Sequence, residues 1–366
     1  MNGRATWKVL GARFALLAAG LLLLLAQASC AKLAYVQQAA VGQYDLGVRA
    51  KDIGELVRER RVDARTRRLL SDVARIKQFG ERHGLTATPN YTKYVRLDRD
   101  SVVWVTSASE PLHFHSKSWA FPVVGSFTYL GWFARKDAYA FAAEIGREGW
   151  DVDVRGSQAY STTGYFEDSV LSTMIRRDEA ALGELTNTIL HEMTHATFFV
   201  RRQSTLNESV ANFVGNRLAE QYLDETIGAD AEEKSAYLES ERRYQMRGKA
   251  MRDAYLALDA LYASPKSDQE KLAEKTELLT RLRTAIGFKR PINNATLIQY
   301  KTYNSGQEEL ASLLAACDGS FPRFLRVLKT LETKTWATDQ EKEIGRMILP
   351  LIPPTAAPQI ALDASH

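Results

Sequence analysis

Apolar and polar residues change their spacing several times along the chain, and each change marks a new element. The Gln- and Ala-rich stretch from Lys32 to Arg49 reads as a tether, and from Ile53 to Phe79 apolar and basic residues alternate at helical spacing. Val102-Val103-Trp104-Val105 is a β-type run, and Phe121-Pro122-Val123-Val124-Gly125 followed by Phe127 to Phe133 reads as strand, turn and strand. Ala138 to Arg147 returns to helical spacing, and Asp151-Val152-Asp153-Val154 alternates like a half-exposed strand. Two helices follow, Leu182 to Val200 and Leu206 to Tyr222, across a polar turn containing Arg201, Arg202, Gln203 and Ser204. Beyond Gly228 the turn signal Ser264-Pro265-Lys266-Ser267-Asp268 separates two long repeats rich in Glu, Lys, Arg and Ala, which predicts an antiparallel helical hairpin with a solvated face. A further helix is expected over Gln307 to Leu331, and Leu349 to His366 is a Pro-rich, extended tail. The expected class is α+β, with a small mixed or antiparallel sheet in the first half and a mainly helical second half that contains the long hairpin.

Composition adds the compartment. With 366 residues, 45% hydrophobic and 25% charged, the chain can bury a sizeable core and is neither disordered nor a multi-span membrane protein. Arg4, Lys8 and Arg13 precede the uncharged run Phe14 to Ala28, and Ala28-Ser29-Cys30 follows. A basic start, a short apolar middle and small residues at the cut make a secretory leader. A cysteine directly after the small pair sharpens this to a bacterial lipoprotein signal over residues 1–29, with Cys30 as the lipid-bearing first mature residue. Gln27 departs from the usual pattern, standing where a Leu or similar residue is expected. Ala31 in place of Asp favours the outer membrane, so the expected location is the cell envelope, anchored by lipid and facing the periplasm. Lys and Arg total 48 against 44 Asp and Glu, and losing the leader's three basic residues leaves the balance near neutral, with no support for nucleic-acid binding. With Cys30 acylated, Cys317 has no intrachain partner, and its setting after Leu313-Leu314-Ala315-Ala316 predicts a buried, inert thiol.

The candidate chemistry is His191-Glu192-Met193-Thr194-His195, inside the Leu182 to Val200 helix. Residues four apart stack on one helical face, so His191 and His195 aim their imidazoles at one point, the start of a Zn2+ site. Glu192, one residue round, is placed to act as general base on a metal-activated water. Leu185, Ile189, Leu190 and Phe199 supply the apolar faces that bury the helix. A third ligand is required, and Asn207-Glu208-Ser209-Val210-Ala211 opens the next helix after a short turn, which makes the two helices antiparallel neighbours and favours Glu208. Glu220 and Glu225 are competitors at the far end of that helix. Asn207, Ser209 or Asn212 could orient the carboxylate or serve as ordinary cap or surface residues.

These residues, together with Cys30, Gln37-Gln38-Ala39-Ala40-Val41-Gly42-Gln43, Trp104, Trp119-Ala120-Phe121-Pro122-Val123-Val124-Gly125, Tyr129-Leu130-Gly131-Trp132-Phe133, Ala159-Tyr160-Ser161-Thr162-Thr163-Gly164-Tyr165-Phe166 and Asn293-Asn294-Ala295 with Tyr303, resemble the bacterial predicted aminopeptidases, exported or lipidated proteins of gluzincin type. The resemblance implies a zincin-like fold, a zinc site of His191, His195 and Glu208, and Glu192 as the catalytic carboxylate. Relatives often carry cysteines flanking the Phe-Pro-Val-Val-Gly segment, where this chain has Ala120 and Ser126, which implies a lost bridge.

Tyr160, Tyr165, Tyr300 and Tyr303 are possible oxyanion donors, and Tyr160 leads because Gly156 to Gly164 precedes the catalytic helix and could form a strand edge along which a peptide lies. His113 and His115 alternate as on a strand and read as surface residues; Trp119, Phe121 and Trp132 read as core. An aminopeptidase also needs an acid for the substrate's free amine, for which Glu144, Glu167 and Asp168 are the candidates. The expected division is a leader over 1–29, a metallopeptidase region over 30–227, a helical region over 228–348 and a tail over 349–366. The expected function is zinc-dependent peptide hydrolysis in the envelope; the alternative is a catalytically silent lipoprotein that uses the peptidase fold as a binding module.

Overall fold

The computed structural model describes residues 30–121, 125–160, 167–301, 305–336, 341 and 343–353. Residues 1–29, where a leader is expected, Tyr165, Tyr303 and the chain from residue 354 lie outside the described residues. Ten helices of five residues or more are described: α1 (Cys30–Arg49), α2 (Ala64–Arg82), α3 (Arg135–Arg147), α4 (Ala181–Thr197), α5 (Ser204–Ile227), α6 (Glu232–Ala263), α7 (Asp268–Ala285), α8 (Gln307–Ala316), α9 (Phe321–Leu328) and α10 (Ile344–Ile348). The strands are β1 (Lys51–Asp52), β2 (Lys93–Val95), β3 (Val103–Ser109), β4 (Trp119–Phe121), β5 (Gly125–Phe127), β6 (Tyr129–Trp132), β7 (Asp151–Ser157) and β8 (Val170–Leu171). The protein is therefore mixed α+β, mainly helical with small sheets. The residues fall into two compact units that do not follow chain order: one joins the chain up to Val48 with Val103–Ser157 and Ile292–Thr296, and the other holds the rest.

The first unit is built on the antiparallel sheet β6-β3-β7. Trp132 and Phe121 are buried with Leu130 and Ala138, and Trp119 and Phe141 pack on them. The expected tether from Lys32 to Arg49 is instead part of α1, because its far ends are tied down. Gln38 donates to the Gly131 carbonyl and accepts from the Phe133 amide, and Tyr35 sits edge-on to Trp132 with ring centroids 5.2 Å apart. Satisfying the unpaired groups of edge strand β6 gives a Gln- and Ala-rich segment its reason to order.

His113 and His115 are not on a strand. They lie in the loop after β3, their rings stacked 5.9 Å apart beside Glu110. That loop curls because the buried Asn294 side chain donates to the carbonyls of Glu110, Pro111 and His113. Asn293 reaches the Val152 carbonyl in the same way.

In the second unit, the helices expected between Ile53 and Phe79 are a single turn (Ile53–Leu56) and α2, and Asp63 caps α2 by accepting from the Thr66 amide at 2.8 Å. A three-stranded sheet, β1-β2-β8, accompanies the helices. The hairpin forms as α6 and α7, with a Ser267/Glu270 capping box starting the second arm. The helix expected over Gln307 to Leu331 is interrupted: Asp318 and Gly319 take left-handed φ values of 53° and 70°, and Pro322 then starts α9. Cys317, at that break, is buried and unbridged, and burial pushes its thiol pKa up. No helix among the described residues is long and apolar enough to cross a membrane.

Ala120 and Ser126 face each other directly across the β4–β5 pair. Directly opposed antiparallel residues have Cα atoms within disulfide range. The double variant Ala120→Cys, Ser126→Cys is expected to close a bridge on air oxidation and raise stability by about 2 kcal/mol for so short a loop. Thiol titration and denaturant unfolding check both.

Candidate metal centre and active site

Helix α4 carries His191 and His195 on one face, and the two Nε2 atoms lie 3.1 Å apart. The first turns of α5 bring Glu208 to both rings, with Oε2 3.5 Å from Nε2 of His191 and Oε1 3.4 Å from Nε2 of His195. Four ligands at zinc's bond length of 2.0–2.1 Å stand about 3.4 Å apart along each tetrahedral edge. All three separations lie close to that edge, with one Glu208 oxygen turned toward each ring. The donor set, two imidazoles and a carboxylate, also fits zinc. The ligand atoms lie within 4.8 Å of one another, and this is the one such cluster among the described residues.

Two local devices fix the geometry. The buried Asn207 side chain accepts from the Val200 amide and donates to the Val200 carbonyl, both at 2.9 Å, which locks the turn and lays the first turn of α5 against the end of α4. Further along, Gly215 permits a close approach. A Cβ there would lie 2.6 Å from Oδ1 of Asn187 and 3.2 Å from Cβ of His191, so any side chain would press on Asn187 and His191. Asn187 donates to Oδ1 of Asn216 and to the Tyr237 hydroxyl, which couples α4 to α5 and α6. Leu185, Ile189 and Leu190 are fully buried beneath, whereas Phe199 is exposed because α4 ends at Thr197.

The two carboxylates of the site are tuned apart. Burial raises the pKa of Glu192, and the charges of Glu208 and Asp168 add to it against the pull of His191. Burial would raise Glu208 too, but its hydrogen bond to His191 and the charge of both imidazoles hold it below the ordinary range. His191 is raised despite burial by Glu208, Glu192 and a hydrogen bond to Asn212, while burial and the charge of His191 lower His195. Of the three polar neighbours named from the sequence, Asn212 therefore touches a ring, Asn207 holds the turn, and the Ser209 carbonyl accepts from Gln307.

A cleft of about 1010 Å³ opens on this cluster, lined by His191, Glu192 and Glu208 and running along α4 to Glu184 and Glu241. Glu241 is pushed up to about 7 by burial and by the charge of Glu184. Glu220 lines its far end, and Glu225 accepts from Gln221; neither joins the cluster.

Among the acids considered for the substrate amine, buried Asp168 is the one whose charge acts on Glu192. Glu167 pairs with Lys93 at the surface, and Glu144 belongs to α3 in the other unit. Tyr160 is half-buried next to Asp168, and burial and that charge raise its pKa. Tyr300 closes a short 3-10 turn. Sequence reasoning missed Tyr91. Its phenol is buried, its pKa is raised well above normal by burial and then by Glu192 and Asp168, and its amide donates to the Asp168 carbonyl at 2.7 Å. Its φ of 63° is costly for an aromatic residue, a strain that the surrounding contacts must hold.

Fold and cluster together define a mixed α+β protein with a His-His-Glu site in a deep cleft. The chain belongs to the family described as Putative aminopeptidase, whose model matches residues 34–343. No curated protein and no solved structure matches the chain.

Gly215→Ala is expected to weaken zinc binding at least tenfold while the helical circular-dichroism signal is kept, since about 1.4 kcal/mol of displaced ligand geometry suffices. Zinc titration by calorimetry checks this; unchanged affinity means that Asn187 simply swings aside.

Proposed function

We propose that the protein is a zinc-dependent aminopeptidase of zincin-like, gluzincin type, carried into the cell envelope and anchored by lipid at Cys30. The observation that carries the reading is the convergence of His191, His195 and Glu208 at tetrahedral-edge distances, with Glu192 beside them in a cleft. His191, His195 and Glu208 would hold the metal. When bound, zinc supplies a Lewis acid that polarises a peptide carbonyl and makes water acidic near neutral pH.

The chain's own residues supply the rest. Glu192, half-buried and raised in pKa, accepts a proton from the attacking water on a carboxylate oxygen and returns it to the leaving amine. Asp168 lies on the Glu192 side of the site and offers a buried negative charge for the free α-amine of a peptide, which supports exopeptidase action. Tyr91 and Tyr160 are the phenols nearest to these acids by their electrostatics, and Tyr160 is our candidate donor to the developing oxyanion.

Glu192→Gln is expected to keep stoichiometric zinc and lower kcat by at least 10²-fold, the scale of a lost general base. His191→Ala, His195→Ala and Glu208→Ala are expected to lose zinc and turnover together. Metal analysis beside cleavage of a fluorogenic peptide reads both, and normal turnover by the Gln variant refutes the role. Asp168→Asn is expected to raise KM for unblocked peptides at least tenfold with zinc content unchanged. Equal effects on N-acetylated and free peptides would remove Asp168 from amine recognition.

A further inference from the structure

Helix α1 has one face fixed by Tyr35 and Gln38 against β6, so it cannot roll. Its other face is open. Between Ala34 and Val48 every exposed position is uncharged: Ala34, Val36, Gln37, Ala40, Val41, Tyr44, Gly47 and Val48. The large apolar members are 49% (Val36), 61% (Val41), 74% (Tyr44) and 66% (Val48) exposed. On a surface where α6 and α7 bristle with Lys, Arg and Glu, four large apolar side chains on one helix form a concentrated patch. At 1.5 Å per residue, the stripe from Val36 to Val48 is about 18 Å long.

What covers the stripe follows from what precedes it in the chain. Cys30 is the first residue of α1, and the uncharged run Phe14 to Ala28 ends just before it. Simple secretion would leave the stripe without a bilayer as neighbour, whereas with Cys30 acylated as proposed above, or with the run retained as an anchor, the start of α1 is held at a bilayer and Val36 stands about 9 Å further along the helix. A lipid surface is then the nearest apolar phase, at an effective concentration no soluble partner matches. The chemistry suits that boundary: Val side chains for the acyl layer and a Tyr whose ring and hydroxyl favour the interface.

We infer that the Val36-Val41-Tyr44-Val48 face of α1 is a membrane-docking surface that lies in the headgroup and acyl boundary of a bilayer. The inference rests on the membrane attachment proposed above and not on the peptidase reading. Its test uses the full chain, extracted from the producing cell's membrane and reconstituted in phosphatidylethanolamine and phosphatidylglycerol vesicles that carry a diazirine-bearing acyl chain. After irradiation, mass spectrometry is expected to find lipid adducts on residues 36–48 at least fivefold above those on α7. Val41→Glu with Tyr44→Glu, both at exposed positions, is expected to reduce adducts to the α7 level while the protein still sediments with vesicles. Adducts at the α7 level in the parent chain overturn the docking surface; if sedimentation persists, the attachment stands alone, and if sedimentation is lost, the attachment fails as well. Adducts at the α7 level together with a dimer, seen by analytical ultracentrifugation in detergent, that Val41→Glu with Tyr44→Glu dissociates also overturn it, by assigning the face to self-association.

Discussion

Everything in the candidate centre depends on how closely α4 and α5 pass each other. A carboxylate meets two imidazoles on a neighbouring helix only if the axes are near enough for a short Glu side chain to span both rings. The structure achieves this with an absent side chain at Gly215 and with a clamp at Asn207, whose two hydrogen bonds close the turn between the helices. Tyr237 then fills the space over Gly183, where a Cβ would come within 2.4 Å of its ring, so a third helix braces the same scaffold. Packing of this kind leaves His191 little freedom, and a rigid donor set loses little entropy when it captures an ion.

The same closeness separates the roles of two chemically identical groups. Glu208 reaches both rings and its pKa is held low, the state that the proposed ligand role requires. Glu192, one residue from His191, is half-buried and is raised by desolvation and by the charges of Glu208 and Asp168. Environments that push two carboxyl groups in opposite directions suit them to the separate roles of ligand and base proposed above. Buried Asp168 and strained Tyr91 belong to this division, since each adds to or feels the charge of Glu192.

Much of this was legible because it is local. The i, i+4 spacing of the histidines and the short turn before Asn207-Glu208 place three donor atoms with no knowledge of distant contacts. The hairpin α6–α7 was equally readable from Ser267 and its periodic flanks. Tyr91 was not, because about a hundred residues separate it from Glu192 and only a chain reversal after α2 brings it there. Gly215 looked like any helical glycine, since its function is to leave room for a partner. α1 misread as a tether because its hydrogen bonds run to β6, some 95 residues away. The break at Asp318-Gly319 was present in the residues but masked by apolar periodicity on both sides.

The return of Ile292–Thr296 to the first unit sets a rule for taking the molecule apart. Asn293 and Asn294 bond to Val152, Asp151 and Glu110 across 141 or more residues, so that unit acquires its last strut only after most of the other has been spelled out. No single scission along the polypeptide therefore releases either unit whole. Fragments divided near Ser157 would each carry an amputated partner, and dissection calls for circular permutation or a grafted five-residue segment.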